Sequence, residues 1–471
     1  MDPARVSTAT SDLVERDLAS FWHPASQMRH YHAFPPVEVV AAHGCRIELA
    51  GGQVLLDAIS SWWCKSLGHG HPRLRAALEQ QLASFEHVIV AGTTSAPLVR
   101  LCERLLALAN GRPAADWGPQ APPGRRPGHF GKVFLADNGS TAVEIALKMA
   151  LQAQAQRGQA GRTRFAALAG GYHGETVGAL SIGDLDLYGN PFRALTFPVA
   201  KLTGLPYRSG PDDPRWMDAA EEWTAIEAQL APLAPTLAAV VYEPVLQAAG
   251  GMRLYSPAVL ALLGGWARSH QVYLIADEIA AGLGRVGAML ASHLGGHLPD
   301  FVVLSKALTG GFLPLSAVLT RDEIYGHFDA EEVERAFLHS NTYTGNALGV
   351  AVALAALDVY AEQDVLAMVR AGGAILRTAM AELTATRPAL CQLRGAGLVA
   401  AVDLRSRAGQ PLDPGLRTGQ KVYREAMRRG ALLRPLGDTM YLFPPLNTSA
   451  GDLRAMVSIL GDSVDTVLGT S

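Results

Sequence analysis

Cysteine is scarce in this 471-residue chain: Cys45, Cys64, Cys102 and Cys391 stand far apart, with no CxxC spacing. That pattern argues against a disulfide framework and a thiolate zinc site, and fits small thiols in a reducing compartment. Long apolar runs are also missing. Stretches such as Ala347 to Leu357 stop short of the about 18 residues that span a bilayer. The opening MDPARVSTATSDLVERDLASFW lacks the basic-then-apolar order of a signal peptide, so a cytoplasmic protein is expected, with no membrane partner. Charged residues make up only 18% and the net charge is −3, which leaves no electrostatic footprint for nucleic acid. His173 lacks the companions of a metal ligand, so no metal site is expected.

What is present is a rhythm. KVFLA (132–136), RFAALA (164–169), AAVVYEP (238–244), VYLIAD (272–277), DFVVLS (300–305) and PLSAVLT (314–320) are short β-branched runs separated by helix-length segments. Such alternation predicts an α/β fold, a mainly parallel sheet covered by helices on both faces. Ligands then sit at the C-terminal strand edges. Residues 35–60 read as short antiparallel strands around Gly44 and Gly51-Gly52, and 346–470 as long helices with another strand-like piece. The expected division is an N-terminal segment over 1–69, a large domain over 70–338 and a C-terminal part over 339–471. The two ends join as a smaller α+β domain. Residues 111–131 hold five Gly and five Pro and predict an irregular surface loop.

Chemistry enters at two strand ends. VYLIA runs into Asp277, and FVVLS into Lys306. A lysine there suits pyridoxal phosphate, whose aldehyde it holds as a Schiff base, while the acid keeps the pyridine nitrogen protonated. Taken alone, the pair also reads as two solvated strand-end residues. After KVFLA comes Asp137-Asn138-Gly139-Ser140-Thr141 and then a helical stretch, a sound phosphate site and equally an ordinary strand-turn-helix junction. Tyr172, after RFAALAGG, either lies over a planar ring or packs at the sheet edge. One motif points elsewhere: Gly282-Leu283-Gly284-Arg285-Val286-Gly287 matches GxGxxG, with Asp300 beyond. Its glycines do not follow the strand directly, no clear helix opens after them, and an arginine is unusual beside a pyrophosphate. A dinucleotide site is therefore not expected.

Taken in order, NGSTAVEIALKMA, GYHGET, EPVLQAAGGM, LIADEIAAGLGRVG, LSKALTGGFLPLS and TYTGN resemble the class III, fold-type I, pyridoxal-phosphate aminotransferases. FWHPASQM at 21–28, SSWW at 60–63 and LLRPLGDTMYLFPP at 432–445 resemble the branch of that family that serves biotin synthesis. That branch converts 8-amino-7-oxononanoate to 7,8-diaminononanoate, usually with S-adenosylmethionine as donor and in some members lysine. Other class III branches, acting on ω-amino acids or diamines, share the cofactor motifs.

The resemblance implies roles at matching positions. Lys306 would bind the cofactor and move the proton. Asp277 would pair with the pyridine nitrogen, Tyr172 and Ile279 would flank the ring, and Gln247 would lie near the ring hydroxyl. Gly139 and Ser140 would bind the phosphate, with Thr342 reaching it from the neighbouring subunit of a homodimer, and Ser340 and Asn341 just before it. Trp62 and Trp63 would wall the pocket for the aliphatic substrate, and Arg434 would take its carboxylate. Three positions depart from the pattern. Ala25 stands where relatives carry a pocket tyrosine; either another group such as Tyr31 replaces it, or recognition of the amine differs. Leu446 stands where an aromatic is frequent. Glu175 stands where some relatives have Asp, and is expected to pair with Arg285.

Overall fold

In the computed structural model, the described residues are 12–125, 127–406 and 408–469. The tail 1–11, part of the stretch read for a leader, lies outside them, as does residue 126 of the Gly/Pro-rich loop.

Seven strands form the central sheet, in the order Lys132–Ala136, Ser316–Thr320, Phe301–Leu304, Tyr273–Asp277, Leu237–Tyr242, Arg164–Leu168, Ala200–Leu202. Every pairing is parallel except those of Ser316–Thr320, which runs against both of its neighbours. This is the α/β, mainly parallel architecture expected. Leu237–Tyr242, Tyr273–Asp277 and Phe301–Leu304 are buried at every residue, which is why they read as unbroken apolar runs.

Helix Gly139–Gln156 covers one face. Asn138 caps it, its Oδ1 accepting from Thr141 N–H at 3.1 Å, and Thr141 completes a capping box. Its apolar side, including Val143, Ile145, Ala146 and Ala150, packs with Phe301, Val303 and Val318 of the sheet. The run Ala347–Leu357 lies within the mostly buried helix Ala347–Glu362, which packs in the larger core.

The chain ends meet. Val39–His43, Arg46–Leu49 and Val54–Asp57 form an antiparallel sheet, and Ala431–Leu432 adds to it alongside Val54–Asp57. Leu390–Ala396, Val399–Leu404 and Thr439–Leu442 form a second antiparallel sheet. The loop 111–131 is less irregular than its composition implies: Ala114–Asp116 makes a short 3-10 turn, and Trp117 and Phe130 are buried as anchors.

Candidate functional site

All strands of the central sheet other than Ser316–Thr320 end at one edge, and that edge gathers the polar residues. Asp277 terminates Tyr273–Asp277, Lys306 follows Phe301–Leu304, Tyr172 and His173 follow Arg164–Leu168, Glu243 follows Leu237–Tyr242, and Gly139 follows Lys132–Ala136.

Asp277 is buried and fixed from two sides. Its Oδ1 accepts from Ile279 N–H at 3.0 Å, and its Oδ2 faces His173 Nδ1 at 2.8 Å. The other nitrogen of His173, Nε2, is buried and has no partner. Behind it lies Glu243, whose carboxylate accepts from the N–H groups of Tyr172 (2.9 Å) and Ala248 (3.0 Å). Burial pushes Glu243 up to about 7, with His173 opposing and Asp277 adding to the rise. Desolvation lowers Lys306 from the ordinary lysine value, opposed by Asp277 and Glu243. A lowered lysine is easier to find neutral, as a nucleophile and proton carrier require.

Gly139 and Ser140 form the first turn of their helix, so their N–H groups lack intrahelical acceptors. Space here is tight: a Cβ on Gly139 would meet Ile279 Cδ1 at 2.7 Å, and one on Gly174 would collide with Ser140 Oγ. Tyr172 is half-buried, donates to Glu175 at 3.0 Å and meets the Tyr188 ring edge-on at 5.6 Å. Burial first, then Glu175, raises its hydroxyl above the ordinary tyrosine value.

Gln247 is fully buried with both ends of its amide engaged. Its nitrogen donates to Ala169 C=O at 2.9 Å and its oxygen accepts from Tyr207 at 2.7 Å.

Of the two tryptophans expected to wall a substrate pocket, Trp63 is buried. Its indole N–H donates to Tyr441 Oη at 3.0 Å, and Lys306 Nζ lies 5.4 Å from its ring centre. Trp62 is half-exposed, and the Arg434 guanidinium carbon sits 4.8 Å from its ring. Arg434 also donates to Ala25 C=O at 2.8 Å. Ala25 thus enters the site through its backbone, at a left-handed φ of 47°. Tyr31 packs against His23 at 4.8 Å between ring centres.

One expected placement is not found. Glu175 does not pair with Arg285, which is buried and donates to Leu398 and Pro444 C=O while stacking on Phe443 at 3.8 Å. Burial lowers Arg285 to about 9. Leu446, standing where an aromatic is frequent, is buried in the large apolar cluster. Ser340, Asn341 and Thr342 lie in a separate, largely exposed connection where Thr342 C=O accepts from His87 Nε2 at 2.9 Å. No hydrogen bond among the described residues joins them to Gly139 or Ser140 within one chain. Asn341 Oδ1 is buried and unpartnered.

His173, Glu243, Tyr188 and Tyr441 were not assigned from sequence. The first two flank recognised residues in GYHGET and EPVLQ, and Tyr441 lies in YLFPP. Tyr188 carries no local signal.

The pattern of the family described as Aminotransferase class-III matches residues 27–464. The adenosylmethionine-8-amino-7-oxononanoate aminotransferase of Synechococcus elongatus is 38% identical, the alignment covering 95% of this chain and 98% of that protein. The solved enzyme of the same description from Methanocaldococcus jannaschii is 29% identical with a TM-score of 0.85, covering 97% of this chain and 99% of its own. A PLP-bound amine transaminase from an uncultivated Pseudomonas species is 32% identical with a TM-score of 0.85, covering 95% and 99%.

Proposed function

Because the chain belongs to the class III aminotransferases, which makes it a pyridoxal-phosphate-dependent transaminase, we propose that it aminates 8-amino-7-oxononanoate to 7,8-diaminononanoate for biotin synthesis. S-Adenosylmethionine is the proposed donor. The observation that carries this reading is the wall from Lys306 over Trp63 and Trp62 to Arg434: an amine at one end, a cation at the other and indole between. An aliphatic chain ending in carboxylate matches that order.

The chain's own residues fit the cofactor: a buried unpartnered imidazole nitrogen behind Asp277, and two free amides at a helix start. Bound pyridoxal phosphate supplies an aldehyde to take the amino group and a protonated ring to draw electrons. Asp277, steadied by His173 and Ile279 N–H, holds the proton on the ring nitrogen. Gly139 and Ser140 N–H groups orient the phosphate, and Tyr172 with Ile279 confine the ring and exclude water. Lys306 would hold the cofactor's aldehyde and would move the proton at the substrate carbon. Gln247 supports the ring side through Ala169 and Tyr207. Arg434 orients the substrate by its carboxylate.

The working unit we infer is a cytosolic homodimer whose partner subunit brings Thr342 to the phosphate, with Ser340 and Asn341 beside it. Exposed Val88, Ile89, Leu338 and Tyr343 around the His87–Thr342 contact support an apolar interface. Obligate interfaces bury more than about 2,000 Å², and a fully active monomer in sedimentation refutes this one. The free thiols suit the cytosol.

Incubation with 8-amino-7-oxononanoate and either S-adenosylmethionine or lysine, with mass detection of the diamine, tests the function and names the donor. The competing reading is a general amine transaminase, favoured by Ala25 and by the similarity to the Pseudomonas enzyme. It predicts turnover of short acceptors and no preference for the nine-carbon acid.

A further inference from the structure

The segment Ser60–Trp63 is folded against the preference of its own residues. Ser60, Ser61 and Trp63 all have φ between 50° and 64°, the left-handed region, and none is glycine. Ser61 and Trp62 leave helical geometry altogether, at φ/ψ of 58°/−99° and −114°/50°. Such backbone persists only where the surroundings over-determine it, and here the surroundings can be named.

Asp57 is fully buried at the end of strand Val54–Asp57. Its Oδ1 accepts from Ile59 N–H at 3.2 Å, its Oδ2 from Ser61 N–H at 2.7 Å. The same Oδ2 lies 2.8 Å from His69 Nε2, which donates to it. His69 is itself fastened by two backbone bonds to Gly44, 2.8 and 3.0 Å. On the far side, Ser60 Oγ donates to Phe443 C=O at 2.7 Å, and Phe443 N–H donates to Ala58 C=O at 2.7 Å. The bent segment is therefore bound to the chain that carries Tyr441 and, through His69, to the small antiparallel sheet. The bend delivers two adjacent indoles to two different groups: Trp62 to the Arg434 guanidinium and Trp63 to the Lys306 amine.

We propose that Asp57, held by His69, is the positioning residue that fixes this aromatic wall and so sets the length of acceptor the site takes. The inference rests on the reading of the site as one for a long carboxylate-ended acceptor. Neither Asp57 nor His69 touches the reacting atoms. The carboxylate holds the bend, the bend holds the indoles, and the indoles span the distance between amine and guanidinium. Both oxygens are in use, so an amide at position 57 would turn an N–H₂ group toward a backbone N–H. His69 supplies the third donor, and an amide at position 69 would keep it.

The test uses the holoenzyme with His69→Ala and His69→Gln, and Asp57→Asn as a harsher third variant. His69→Ala should lower kcat/KM for 8-amino-7-oxononanoate by at least about tenfold, mainly through KM, and leave the donor half-reaction within about twofold. His69→Gln should recover most of the loss. Hydrogen exchange of the peptide covering 57–66, followed by mass spectrometry, should speed up in His69→Ala and not in His69→Gln. Equal loss in both half-reactions, or unchanged exchange at 57–66, overturns the proposal. If the wild-type protein leaves the nine-carbon acid untouched, the functional reading fails by itself. Exchange then decides the clasp separately: faster exchange sustains it, unchanged exchange overturns it.

Discussion

Replacing Arg434 by alanine separates a substrate role from a structural one. The guanidinium spends one N–H on Ala25 C=O, at 2.8 Å, and lies 4.8 Å over the Trp62 ring. Its remaining donors are directed by these two contacts and are free to grip a carboxylate bidentately. Losing the ring contact costs about 0.5–1 kcal/mol at a partly exposed site. Losing the carboxylate contact costs about 2–4 kcal/mol where the pair is desolvated. Trp62 is 50% exposed, so the lower end applies. About 2 kcal/mol corresponds to roughly a 30-fold fall in kcat/KM for the acceptor. The two half-reactions should be followed separately by stopped-flow absorbance. The acceptor half should slow, the donor half should hold, and Arg434→Lys should recover only part because it lacks the planar fork. An equal fall in both halves would show that Arg434 merely ties Ala25 to the wall, and would remove the main support for a long carboxylate substrate.

Two further outcomes follow from the cofactor side. Lys306→Ala should lose the visible band of the covalently bound cofactor and fall by several orders of magnitude in turnover, because attachment and proton transfer go together. Near-normal turnover would dismiss the assignment. Glu243, raised from 4.5 to about 7, favours the folded state fully below its unfolded value, and that contribution is lost as pH rises through about 7. The difference corresponds to about 3 kcal/mol. Glu243→Gln should flatten the fall in melting temperature between about pH 5 and 8. Glu278, also raised to about 7, contributes equally to both proteins, so an unchanged slope refutes the role.

The strand ends proposed to hold the cofactor were legible in the sequence because the sheet makes them so. A strand buried on both faces reads as an apolar run, its end is marked by the first polar residue, and neighbouring strands in register bring those ends together. Asp277 and Lys306 were found as strand ends in this way, since Ile275 to Asp277 pair with Phe301 to Val303; a role for the pair came only from the resemblance of the motifs around it. Strand direction is another matter. PLSAVLT looks like the other core strands yet runs antiparallel, because an all-buried run of five residues carries no vector. The expected Glu175–Arg285 pair failed for a related reason. Charge complementarity in sequence suggests partners, but Arg285 is satisfied by two carbonyls and the Phe443 ring, a neutral arrangement that composition cannot announce.

The end proposed for the substrate was harder to read, and the cause is geometric. Its wall draws on residues 25, 62, 63, 434 and 441, which come from both chain ends and meet only through tertiary packing. The left-handed turn that aims the tryptophans contains no glycine, so the usual marker of such backbone is missing. What sequence does offer is the oddity of two serines before two tryptophans, with Asp57 three residues upstream of the first serine and His69 beyond. On the proposed reading, acceptor specificity rests on a buried carboxylate, Asp57, and the His69 imidazole that holds it, and a substitution there should alter which acceptor is chosen without disturbing Lys306 or Asp277.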